Sequence, residues 1–286
     1  MNVRHLAART AIAGVTTALA AGALVGVSTV AATAATVTNT YTCTAPVMGD
    51  FNTDLTVTGT LPVPQYPAGA PVPAGIVGIT ASASIPANAA SLLSGVGATS
   101  ASSKDFALPL NTSAAPLPIS GGFVTEGGAT TWKASGKNTA FTTPAAGTAT
   151  AILPSKFTLT VPTTTFGPVD IPCVLATGQT PASLASITLT KQDTATVVAK
   201  KASAKKGKLA KVSAKVKGAA QGIPAGNVVV KEGKKVVGKA KLSTTGAAVV
   251  KLGKKLKVGK HTLTVSYAGN DTFNASKAKV KLTVKK

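Results

Sequence analysis

Between Lys208 and Lys217 the chain reads KLAKVSAKVK. From Ala210 onward, Ala210, Val212, Ala214 and Val216 hold the even positions, while Lys211, Ser213, Lys215 and Lys217 hold the odd ones. A period of two sends one set of side chains to one face of a strand and the other set to the opposite face. The same alternation recurs at the end of the chain, where Ala278, Val280, Leu282 and Val284 oppose Lys279, Lys281, Thr283 and Lys285. HTLTVSY repeats it with Leu263, Val265 and Tyr267 against Thr262, Thr264 and Ser266. Turn signals separate these runs: IPAG at 223–226, Glu232-Gly233, Thr245-Gly246, Val258-Gly259 and AGND at 268–271. About seven short strands in roughly 90 residues is the spacing of an immunoglobulin-like sandwich. The lysines are then the outward faces of strands. Only residues 199–208, AKKASAKKGK, show no clean alternation and fit a disordered basic tail.

The charge is confined to one half of the chain. Residues 191–286 carry 24 Lys, no Arg, and only Asp193, Glu232 and Asp271, a net +21, whereas residues 35–190 sum to −1. This shift places a domain boundary near Lys191. Composition supports β structure throughout: aromatic residues make up 4%, and Ala, Val, Thr, Gly and Pro favour strands and turns. In the first half, DLTVTGTLP puts Leu55, Val57 and Gly59 on one face, GITASASIP does the same with Ile79, Ala81, Ala83 and Ile85, and TATAIL and KFTLTVP are further strands. LPVPQYPAGAPVPAG reads as an extended linker or edge segment. One short helix is predicted over 87–94, after Pro86 and before Gly95 and Gly97.

The first residues read as an export signal. Arg4 and Arg9 precede an uncharged apolar run from Ala11 to Val30, and Ala32-Thr33-Ala34 fits a small-residue cleavage site. A membrane anchor is the alternative, since the run is about long enough to span. Residues 1–34 are accordingly taken as a signal peptide, and no later segment reads as an anchor. In an oxidising compartment Cys43 and Cys173 are expected to form a disulfide joining the first strand of the domain to its last, the alternative being two free thiols.

Two resemblances follow from these residues. PAGNVVVKEGKKVVGKAKLSTTGAAVVKL with GKHTLTVSYAGNDTFNASKAKVKLTV resembles a bacterial Ig-like repeat domain. Pro224, Gly226, Val228, Gly233, Gly238, Ala240, Leu242, Gly259, His261, Leu263, Val265, Tyr267, Gly269 and Asn270 carry the likeness. Lysine stands at positions where that family usually has Thr or Ser. The resemblance implies a spacer or adhesive module. YTCTAP near residue 43, ASLLSGVGATSASS, and IPCVLATGQTPASLASITL near residue 173 are similar to the signatures of an uncharacterised domain family of secreted actinobacterial proteins. That likeness implies no activity.

The expected fold is therefore all-β, with two β-sandwich domains after a signal peptide: 35–190, tied by the disulfide, and 191–286, immunoglobulin-like. Catalysis is not expected. His261 is the one histidine after the leader and sits at a strand start; no G-x-S-x-G motif occurs; and no Cys/His metal set remains once the cysteines pair. Asp50, Asn52 and Asp54 mimic the opening of a calcium loop, but Leu55 and Leu61 stand where Gly and Glu belong. Nothing implies a cofactor, a metal or a small-molecule substrate.

A field from +21 on so small a domain attracts polyanions. The residues assigned to that role are Lys205, Lys206, Lys208, Lys211, Lys215, Lys217, Lys234, Lys235, Lys254 and Lys255. Without Arg, and with Tyr267 and Phe273 the domain's only aromatic residues, sequence-specific reading of nucleic acid is not expected. The leading expectation is a secreted, non-catalytic, envelope-associated structural or adhesion protein, whose basic domain binds anionic wall polymers. The alternative is a secreted matrix protein that binds nucleic acid or other polyanions without specificity. An enzyme site in the first half is a third reading, opposed by the shortage of titratable groups. The bland account gives the lysines only solubility and protection of strand edges.

Overall fold

The computed structural model describes residues 34–46, 48–60, 65–198, 201–219, 222–253 and 256–286. The leader assigned to residues 1–34 lies, but for Ala34, outside them. In chain order the first domain contains β1 (Ala34–Ala45), β2 (Gly49–Thr60), β3 (Gln65–Pro67), β4 (Pro71–Val72), β5 (Gly78–Ile85), α1 (Ala87–Gly95), β6 (Ser100–Ser103), β7 (Ala107–Leu110) and β8 (Ser113–Pro116). It continues with β9 (Ile119–Glu126), β10 (Ala129–Lys137), β11 (Phe141–Thr142), β12 (Gly147–Ile152), β13 (Lys156–Thr163), β14 (Gly167–Leu175) and β15 (Ser183–Thr190). The second contains β16 (Thr194–Val198), β17 (Lys201–Lys205), β18 (Lys211–Gly218), β19 (Asn227–Glu232), β20 (Lys235–Lys241), β21 (Ala247–Lys251), β22 (Gly259–Tyr267) and β23 (Ser276–Lys285).

The all-β expectation holds, and the main sheet of the first domain closes on itself. Its eight strands run β1-β14-β13-β6-β9-β10-β5-β2, with β2 returning to β1. β1 and β2 pair along their whole length, from Ala34↔Thr60 to Ala45↔Gly49. The alternation in AATVTNTYTCTA explains the geometry: Tyr41, Cys43 and Ala45 point inward and are buried, while Thr36, Thr38, Thr40, Thr42 and Thr44 line the outer surface. There the threonine hydroxyls meet partners on β2: Thr36 with Thr58, Thr38 with Thr56, Thr40 with Asp54, and Thr44 with Asp50. Such cross-strand pairs add a few tenths of a kcal/mol up to about 1 kcal/mol each. A second, five-stranded sheet, β3-β15-β12-β7-β8, shares the core with the barrel. Gly59 makes that approach close, because a Cβ there would sit 2.9 Å from Leu184 Cδ2.

The lower barrel is filled by aromatic packing. Phe157 stands edge-on to Tyr41 at 5.0 Å between ring centroids and to Phe106 at 5.5 Å. The Tyr41 hydroxyl donates to the Pro154 carbonyl at 2.6 Å, and burial pushes its pKa above the ordinary phenol value. The weakest seam is between β6 and β13, where one residue pair, Thr160↔Ser102, is in register. Asp105 extends it by accepting from the Thr158 N–H at 3.0 Å and the Ser103 hydroxyl at 2.9 Å. Burial alone would raise the Asp105 pKa; these hydrogen bonds outweigh it and hold the carboxyl below its ordinary value.

Cys43 and Cys173 are bridged, as expected. They do not join the first strand to the last, however. Cys43 and Cys173 are directly opposite one another on adjacent β1 and β14, and β15 follows. The helix forms where expected and runs one residue further, to Gly95. It stops in a Schellman motif: the N–H of Ala98 reaches the Leu93 carbonyl and that of Gly97 the Ser94 carbonyl. Gly97 takes φ +70°, and a side chain there would collide with Thr164, which itself bonds the Val96 carbonyl through both its N–H and its hydroxyl.

The second domain stacks a three-stranded sheet, β16-β18-β21, on a five-stranded one, β17-β23-β22-β19-β20. Its core is the set the alternation named: Ala210, Val212, Ala214, Val216, Leu263, Val265, Tyr267, Val280, Leu282 and Val284 are all buried. The alternative of a disordered tail at 199–208 fails for the described residues from 201 onward. Lys201–Lys205 is a strand pairing in parallel with β23, from Lys201↔Lys281 to Lys205↔Lys285. Ala202 and Ala204 pack against the core.

Three residues, Lys191 to Asp193, separate β15 from β16, and they are not a free linker. Gln192 is 4% exposed; its Nε2 donates to the Ala68 carbonyl of the first domain at 2.6 Å. Its backbone N–H reaches the Thr272 carbonyl, and its carbonyl accepts from Asn274. The Ala146 N–H donates to the Asp271 carbonyl at 2.9 Å across the same junction.

Because the bridge closes a loop of sequence separation 130, Cys43→Ala/Cys173→Ala is expected to lose about 4–5 kcal/mol of stability. Urea unfolding measures this. A loss under about 1 kcal/mol would mean that strand pairing alone sets the seam.

Candidate functional site: lysine faces and an apolar cavity

The lysines assigned to polyanion binding fall on several surfaces. Lys211, Lys215 and Lys217 project from the outer face of β18 and are exposed. Lys205 ends β17, and Lys206 and Lys208 follow in its turn. Lys234 and Lys235 form the β19–β20 hairpin. Lys254 and Lys255 lie outside the described residues. Charge therefore wraps the domain instead of lining one groove. The register adds residues that were not singled out: Lys251 is opposite Lys211, and Lys277, Lys279 and Lys281 are exposed along β23. Lys211↔Lys251 and Lys205↔Lys285 put like charges directly across a ladder, an arrangement that destabilises a sheet. Among the described residues, no lysine of this domain makes an ion pair.

His261 opens β22 and is held at both ring nitrogens. Nδ1 is 2.6 Å from Glu232 Oε1, and Nε2 is 2.7 Å from the Lys257 carbonyl oxygen. Two acceptors suit a ring that donates from both nitrogens, which is the imidazolium form. The Glu232 hydrogen bond is the main cause of a pKa above the usual imidazole value, aided by the Lys257 carbonyl and the carboxylate charge, while burial opposes it. This is a structural clasp at the strand end, tying β22 to the hairpin. Asp50 and Asp54 both lie on the regular strand β2, pinned by threonine hydroxyls, so no calcium-type loop wraps them.

The cavity at one end of the barrel has no counterpart in the sequence reading. Its volume is about 420 Å³. Ala83, Trp132, Val161 and Ile171 form its floor, and the disulfide lies one inward position deeper, at Cys43 and Cys173. Leu92 and Leu93 of α1 form one wall, and Phe51, Phe123, Leu159 and Val169 the others. Met48 and Phe166 sit at the rim, Phe166 being 66% exposed. The wall residues are large and apolar yet only half-buried, because the surface they leave open faces this cavity.

Small inward residues make the room. Ala45 and Ala83 line it where larger side chains would fill the barrel. Among the lining residues only Thr53, Thr163 and Trp132 carry polar side-chain atoms, and the Trp132 indole N–H donates to the Gly121 carbonyl at 3.1 Å. Each threonine is already used: Thr53 donates to the Ser84 carbonyl at 2.7 Å and Thr163 to the Gly167 carbonyl at 2.8 Å. The sequence signal was present in outline: aromatic residues in or near turns, as in GGFVTEGG and TTTFG, and a helix following β5.

Comparison with known proteins agrees with both halves. The profile of the bacterial Ig-like domain (group 3) family matches residues 196–285. Residues 40–185 match a family of unknown function, DUF6801, and the chain belongs to that family. No curated protein is similar to it. Among solved structures, the fibronectin(III)-like modules of Clostridium thermocellum CbhA are similar at 14% identity, covering 80% of this chain and 94% of that one, with a TM-score of 0.28. Among the described residues no helix is long and apolar enough to cross a membrane. The bacterial Ig-like class is one of structural and binding proteins.

The raised His261 pKa fixes a sign. Its stabilisation is fully present below the ordinary imidazole value of about 6.5 and is lost as pH rises through the higher folded value. The Tm is expected to fall over that window in the parent, and to stay flatter in His261→Gln. Matching profiles would show that the clasp adds no stability.

Proposed function

We propose that the protein is a non-catalytic binding protein of the cell envelope. It is exported through its apolar leader, and its lysine-covered Ig-like domain holds it to anionic wall polymers by charge. The observation that supports this reading most is the registered, unneutralised lysine. Like charges opposite one another on β18 and β21, with no ion pairs among the described lysines of this domain, cost stability in the free domain. A polyanion laid along those strands turns the cost into attraction. Lysine without arginine suits a point-charge ligand such as phosphate or carboxylate on a flexible polymer, with no demand for bidentate geometry. Charge wrapped around several surfaces suits the same ligand, which has no single shape to recognise. The first domain is then the cargo, carried on a junction that Gln192 buries.

Co-sedimentation with purified cell walls tests the proposal. Binding is expected to need the anionic polymers and to fall linearly on a log–log salt plot. Lys211→Ala/Lys215→Ala/Lys217→Ala/Lys251→Ala is expected to lower that slope by roughly 1 for each contacting lysine removed. Equal binding to stripped walls would overturn it. Full displacement by a modest amount of DNA would favour a nucleic-acid matrix instead.

A further inference from the structure

We infer that the barrel mouth is a binding site for the hydrocarbon part of an uncharged lipid. The proposal is independent of the lysine surfaces and rests on four observations. The first is capacity: about 420 Å³ lies within the range of small-molecule sites, roughly 300–1,000 Å³. An eight-stranded barrel is also the size that holds one small ligand at its end.

The second is chemistry. The hydroxyls of Thr53 and Thr163 already donate to backbone carbonyls, so the wall offers an incoming ligand no free side-chain donor. Water gains little there, since a buried water needs two to four polar partners. Apolar carbon is what such a wall accepts.

The third is charge at the entrance. At the rim lie Pro46 and Met48 between β1 and β2, Thr163 and Phe166 at the β13–β14 turn, and α1, and no residue lining the cavity is a lysine, arginine or histidine. No aspartate or glutamate lines it either. A fatty acid would bring its carboxylate to a lining without a cation. An alcohol, ester or unfunctionalised end meets no such penalty.

The fourth is construction. The rim segments are fastened to each other: Thr164 of the β13–β14 turn bonds the Val96 carbonyl at the end of α1, and the Schellman motif at Gly97 ends the helix there. The helix wall carrying Leu92 and Leu93 is therefore held away from Phe51 and Phe123 across the opening, which keeps the cavity from collapsing. Phe166, two-thirds exposed at the edge, extends the apolar surface outward to cover what protrudes.

The full chain, stripped of lipid over a hydrophobic resin, is titrated with diphenylhexatriene, a neutral polyene whose fluorescence rises in apolar surroundings. Saturable uptake of one probe per chain is expected. Monoolein or cholesterol should displace it at concentrations at least ten-fold lower than oleate at pH 8. The better of the two neutral competitors tells whether the native tail is a flexible chain or a ring system. Leu92→Trp, which fills the cavity, and Val169→Asp, which charges it, should each weaken uptake at least ten-fold while the Tm shows a folded protein. The ranking of competitors is read on the unaltered chain and stands even where a variant does not fold. Oleate displacing as well as monoolein, unsaturable uptake, uptake seen only with vesicles present, or folded variants that bind like the parent would each overturn the proposal.

Discussion

β1 is the strand on which the first domain closes. It pairs with β2 from end to end and with β14 on its other edge, so a single twelve-residue segment removes two sheet edges at once. Without it β2 and β14 would each present unpaired N–H and C=O groups, the usual template for association with other chains. Its inward residues also set the contents of the barrel. Tyr41 anchors the aromatic packing with Phe157, Cys43 carries the bridge, and Ala45 leaves the space above it. These partners are far apart in sequence, so the closure entropy is high, and a covalent bond at that seam is where chain entropy makes it most effective.

The two domains divide their labour by where they place charge. The second domain spends its lysines outward on every surface and keeps Val, Leu and Tyr within. The first domain is nearly neutral and leaves apolar surface facing an internal cavity instead of packing it away. The junction suits both, because the polar contact is short and buried. Gln192 satisfies the Ala68 carbonyl through its Nε2, while its own Oε1 has no protein partner. The barrel is thereby held by specific hydrogen bonds and the close approach of Gly69 to Thr272, not by a broad apolar face.

What could be read from the sequence was whatever depends on neighbours. Alternation named the buried faces of β18, β22 and β23. The helix was legible because Pro86, Gly95 and Gly97 are local signals. What depends on distant partners was not legible. β17 was missed because KK doublets flank a core of two alanines, too small to signal burial; the strand exists because β23 pairs with it from the far end of the chain. Glu232 and His261 meet because β19 and β22 are neighbours, which no spacing reveals. Barrel closure is likewise a matter of which strands pair, and alternation is identical in an open sandwich and a closed barrel. The cavity was hidden for a sharper reason: Phe51, Leu92, Phe123 and Leu159 look like core residues in any window, and only the volume between them shows that they do not fill it.

The bridge between β1 and β14 also decides how the molecule carries mechanical load. A pull between the two ends of the chain enters along β1, crosses at Cys43 to Cys173, and continues through β14, β15 and the three-residue junction into the second domain. Everything between the two cysteines is bypassed, including α1 and nearly all of the cavity wall. Tension on a chain held at one end would therefore shear β15 from its neighbours or strip the Ig-like sandwich before it deformed the barrel mouth. The barrel mouth keeps its shape while the second domain extends.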